Sequence, residues 1–78
     1  MAILAIEFMN EVLDRSGKIE RNGDVRLSRS FLIAVGAMMG HDYSEQLLSE
    51  AVMGADEEHR GQVTEEIRAI VEKLTTTP

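Results

Sequence analysis

Aliphatic residues return at helical spacing in four separate stretches of a chain of only 78 residues. Ile3, Leu4, Ile6, Met9, Val12 and Leu13 fall on one side of a helix over 2–14, with Glu7, Asn10 and Glu11 opposite. Ser28 is a suitable N-cap for a second stripe, Phe31, Leu32, Val35, Met38 and Met39, which stops at Gly40. Ser44 caps a third, built from Leu47, Leu48, Ala51, Val52 and Ala55. Thr64 caps a fourth, with Glu65 and Glu66 in the first turn and Ile67, Ile70, Val71 and Leu74 on the buried side. The pattern predicts an all-α fold of four short helices, arranged as helix–loop–helix twice. Residues 15–26 read as a polar loop because Ser16-Gly17 and Asn22-Gly23 are turn dipeptides, and a hairpin over 19–27 can form around the second. Residues 56–63 read as a charged loop. Residues 1–75 form one domain, and 76–78 a frayed tail.

Such a domain has a thin core. A chain this short buries only about 60% of its unfolded surface, and with no Cys it has no disulfide to staple it. The aromatics are Phe8, Phe31 and Tyr43 alone, so Leu, Ile, Val, Ala and five Met must fill the interior. No apolar run approaches the roughly 20 residues of a membrane span, and MAILAI lacks the basic flank of a secretion signal. The chain reads as soluble and cytoplasmic.

The net charge of −6 is unevenly spread. Residues 1–40 hold five acids and five bases, whereas 41–78 hold nine acids and three bases. Nucleic acid and anionic membranes are therefore poor partners, and a basic peptide a better one. The acidic helix 44–55, with Glu45 and Glu50, speaks against a helix-turn-helix reader of DNA. Arg15, Lys18, Arg21, Arg26 and Arg29 read as a solvated basic loop balanced by Glu20 and Asp24, or as a patch that meets an acidic surface on a larger partner. His59 lies among Asp56, Glu57 and Glu58, which reads as a solvated loop rather than a metal site. No nucleophile and base stand in a catalytic context, so no enzyme, metal or cofactor is expected.

The 38 residues from Leu27 to Thr64 resemble one lobe of calmodulin and the myosin light chains. LSRSFLIAVGAMMG is similar to the exiting helix of a first EF-hand, ending in Met39-Gly40. GHDYSEQLLSEAVMGAD is similar to the linker, capped third helix and opening Asp of a second hand. Gly61-Gln62-Val63 matches the centre of its loop. The resemblance implies a paired EF-hand lobe with a minimal two-strand bridge between Leu27 and Val63. The loops depart from the family. A calcium loop needs oxygens at positions 1, 3, 5 and 9 and a bidentate Glu at 12. Counted from Asp56, Arg60 stands at the fifth position and Ile67 at the twelfth; in the first loop Phe31 takes the twelfth. Neither hand is expected to bind calcium.

The resemblance further implies a calcium-independent adaptor, monomeric when free, that takes a basic amphipathic IQ-type helix such as that of a myosin heavy chain. Its groove would be lined by Leu32, Val35, Gly36, Met39, Leu48, Ala51, Val52, Ala55, Ile67 and Val71, with Gly36 making it shallow where the family carries a bulky residue. Soft Met side chains suit such a groove as well as they suit a core. A self-associating helical domain, its thin core completed by a second copy, is the alternative. On the groove reading, Leu32→Asp or Met39→Asp abolishes peptide binding, and a binding assay with either variant checks it.

Overall fold

A computed structural model describes residues 3–41 and 43–76. Helix α1 spans Ala5–Arg21, α2 Val25–Met38, α3 Glu45–Val52 and α4 Arg60–Thr76, with a single 3₁₀ turn at Glu57–His59 before α4. The expected count and class of elements are therefore present. No strand occurs among the described residues. Residues 77 and 78 of the expected tail lie outside them.

The boundaries differ from the sequence expectation because buried side chains outweigh local turn preference. Ser16-Gly17 lies inside α1. The Ser16 hydroxyl is buried 2.9 Å from that of Ser28, and continuing the helix buries Ile19. Asn22-Gly23 is the helix stop, not a hairpin turn. Gly23 takes a φ of 89°, its N–H donates to Glu20 O and the Asp24 N–H donates to Ile19 O. That pair of bonds is a Schellman cap, and the positive φ is why glycine stands there. Asp24, not Ser28, caps α2, its carboxylate accepting from the Leu27 N–H at 3.0 Å. Ser28 lies buried within α2 instead, between Ser16 and Glu20. Ser44 caps α3 as expected.

α4 begins four residues before its expected cap. Thr64 donates its hydroxyl back to Arg60 O at 2.8 Å, a bond made within a helix rather than at its start. The reason is Val63, which is fully buried and extends the stripe Ile67 and Ile70 by one turn. Arg60 donates to Ala55 O and Met53 O and so satisfies carbonyls left open beyond the end of α3.

Two features differ from the expected paired EF-hand arrangement. Only residues 22–24 separate α1 from α2, too few for a twelve-residue loop. Leu27 and Val63 lie inside α2 and α4, the Leu27 N–H being taken by the Asp24 carboxylate, and no strand bridge joins them among the described residues.

α2 and α4 each pack against the other three helices. Their inner faces, Phe31, Ala34, Val35 and Met38 against Val63, Ile67 and Ile70, form the core. α1 closes it with Phe8 and Val12, and α3 with Leu48, Ala51 and Val52. Tyr43 stacks at a tilt on Phe8, ring centroids 4.5 Å apart. Ion pairs tie the outer turns: Arg15 to Glu66 at 2.9 Å, and Lys73 to Glu11 at 2.9 Å.

Phe31→Ala removes the largest side chain that α2 places in this core. The expected loss is about 3–5 kcal/mol, much of the stability of a domain this size. Urea denaturation followed by circular dichroism measures it.

Candidate functional site

The ten residues expected to line a partner groove divide into two groups. Val35, Leu48, Ala51, Val52, Ala55 and Ile67 are buried in the core, and Met39 and Val71 are half-buried against it. Phe8 and Val12 of α1 join them in that core. The hydrophobic surface that an incoming helix would use is thus already covered by the chain itself. Leu32 and Gly36 alone face outward, and they do so on the side of α2 away from the core.

That outer side is the candidate site. Val25, Leu32 and Ile33 are 59%, 40% and 51% exposed, and Gly36 and Arg29 lie on the same face. Positions 25, 29, 32 and 36 follow the i, i+4, i+7, i+11 rule of one helix face, about 16 Å long at 1.5 Å per residue. A shallow concavity of about 400 Å³ runs beside them, lined by Glu20, Val25, Ser28, Arg29, Leu32 and Ile33. Two flanks fix its shape. On one, Ser28 bonds Ser16 and Glu20 of α1. On the other, Arg26 reaches Asp56 at 3.3 Å, and a Cβ on Gly54 would lie 3.5 Å from Ile33. Nothing stands within 4 Å of a Cβ placed on Gly36, so the far end of the face is open.

Val25 and Ile33 are site residues that the helical-spacing pattern left out. A signal for them exists in the sequence: Val25–Met38 contains no acid and is apolar on both faces from residue 31 onward. A helix apolar all round is one that is covered all round. The basic loop expected at 15–29 is also redistributed. Arg15, Lys18 and Arg21 lie on α1, and Arg26 and Arg29 on α2.

A second cleft, about 260 Å³, lies between the start of α3 and the end of α4. It is smaller than the roughly 300 Å³ at which ligand sites begin. Two of its three charged lining residues pair with each other: Arg68 grips Glu45 at 2.7, 3.2 and 3.3 Å in a forked pair. The hydrogen bonds from Arg68 hold the exposed Glu45 carboxyl below its ordinary range, and Glu45 in turn raises Arg68.

The segment expected as a second, ligand-poor EF-hand loop is built differently. Glu57–His59 is a 3₁₀ turn, Arg60 spans the gap to α3 and Ile67 is fully buried. His59 is not solvated as expected. Its side chain is 13% exposed, with Nε2 3.9 Å from Asp24 and Nδ1 3.8 Å from Asp56. Among the described residues no three His, Asp or Glu side chains are grouped to hold a metal ion. None of the described helices is long and apolar enough to cross a membrane.

Comparison of the chain with protein-family models, with curated proteins and with solved structures finds no match.

The Glu45–Arg68 pair makes a pH prediction with a definite sign. A carboxylate depressed in the folded state stabilises above its unfolded value and loses that contribution as pH falls through the folded one. Glu45 is therefore expected to titrate below ordinary glutamates in a carboxyl NMR titration, and Arg68→Gln to return it to their range. Added salt weakens the effect.

Proposed function

We propose that this chain is a non-catalytic interaction domain that docks an amphipathic helix of a partner protein on the outer face of α2, without calcium. One observation carries the reading. Three large apolar side chains, Val25, Leu32 and Ile33, stand exposed over about two turns of the helix whose other face is the core. Apolar surface residues scattered singly need no explanation, but a contiguous stripe on a central helix does. A helix laid along it would anchor at i, i+3/i+4 and i+7 spacing. The concavity is too open to enclose a small molecule, because its apolar walls are themselves half exposed.

This keeps the general form of the light-chain adaptor and moves its binding surface. A groove of the calmodulin kind would require Val35, Leu48, Ala51, Val52, Ala55 and Ile67 to leave the core, and a thin core has little to replace them. Calcium has no part in the proposal, since Arg60 and Ile67 occupy the positions where ligands would stand. The same stripe supports self-association as the second reading, a dimer closing α2 against α2.

The test uses the isotopically labelled chain and designed helical peptides with Leu anchors at i, i+3 and i+7. Amide shifts centred on Val25, Leu32 and Ile33 are expected. Leu32→Asp and Ile33→Asp should abolish them while changing stability by less than about 1 kcal/mol, as surface substitutions do. Shifts centred instead on Leu48, Ala51 and Val71 would return the partner to the inner groove. A dimer in sedimentation that Leu32→Asp dissolves would establish the second reading.

A further inference from the structure

We infer that the partner helix carries a carboxylate in the middle of its apolar stripe, placed to pair with Arg29. This rests on the docking reading above and adds the chemistry of the occupant. Arg29 sits between Val25 and Leu32 on the outer face and lines the same concavity as both. Among the described residues it has no hydrogen bond or ion pair, and it is not one of those with further interactions. Arg26 and Arg21 are directed elsewhere. Arg26 is held by Asp56 at 3.3 Å. Arg21 folds back along α1, its guanidinium 3.2 Å from where a Cβ on Gly17 would be. Arg29 is thus the cation that the face presents, set between Val25 and Leu32, which exclude water from it once covered.

A covered cation without a counter-charge is costly, and a forked Arg–carboxylate bond removes that cost and fixes the register of the helix. Glu20 lines the same concavity but forms no ion pair with Arg29; its Oε1 accepts from the Ser28 hydroxyl at 3.2 Å. The net charge of −6 acts against an acidic partner at a distance, but charges farther than about 8 Å are screened at physiological salt. Contact pairing therefore decides. A second copy of the chain is a poor occupant for the same reason. α2 contains no acid. Antiparallel packing about the centre of the stripe would set the two Arg29 positions about 4.5 Å apart along the axis, like charges facing each other.

The experiment is a charge-swap cycle with the full chain. Three helical peptides share the Leu anchors and differ at the central residue: Glu, Ala or Lys. Fluorescence anisotropy is expected to rank them Glu, Ala, Lys, with about tenfold between the first and last. Arg29→Glu should invert the order, and Arg29→Gln should level it. Thermal unfolding unchanged in both variants excludes a folding effect. Equal affinity for all three peptides, or a preference that survives Arg29→Glu, overturns the inference while leaving the docking face standing. Binding of none overturns the docking reading itself. A dimer that Leu32→Asp dissolves, or binding to phosphatidylserine vesicles in place of the peptides, assigns the face to another occupant and also overturns it.

Discussion

Helix α2 packs its inner face, Phe31, Ala34, Val35 and Met38, against α1, α3 and α4 at once, and the placement of every other element follows from that contact. Its apolar side chains meet Val63, Ile67 and Ile70 of α4. Val63 can take part only if α4 starts before residue 63, which draws the segment after α3 into a tight 3₁₀ turn. Ser28 can be buried only against α1, which must then continue as helix past Ser16 and Gly17 to meet it. In a chain with so little apolar surface to bury, one additional turn of helix at each contact is worth more than the loop that local preference would place there.

The same economy explains why the inner groove is closed. With no Trp and three other aromatics, the core needs the residues that a helix-binding lobe would keep on display. Leu48, Ala51, Val52 and Ile67 are consumed by internal packing, and Phe8 and Val12 complete the enclosure. What α2 leaves over for recognition is its far side. Its exposed stripe is flanked by α1 through Ser28 and Glu20 and by the end of α3 through Ile33 and Gly54. An interaction surface on the back of a core helix is rigid, because the helix is pinned from the other side.

The acidic excess of the second half serves structure. Glu45, Glu66 and Asp56 each hold an arginine, and two of those arginines reach across from α1 and α2. Such exposed pairs contribute little individually. They do assign most of the basic side chains to internal partners, and that is why Arg29 stands out.

The sequence by itself determined the helical class, the number of helices, the cap at Ser44 and the stop at Gly40. These are local properties: period and capping chemistry act within a few residues. Only the tertiary structure decided that α1 runs through Ser16-Gly17, that Asp24 rather than Ser28 caps α2, and that α4 starts at Arg60 rather than at Thr64. Each depends on a partner distant in sequence, Ser28 for Ser16 and the α2 face for Val63, which spacing along one segment does not reveal. The candidate site divides along the same line. Leu32 and Gly36 are legible as non-core positions only once Phe31, Ala34 and Val35 are known to point inward. A helix apolar on two sides has two possible inner faces, and the packing of the other three helices selects one.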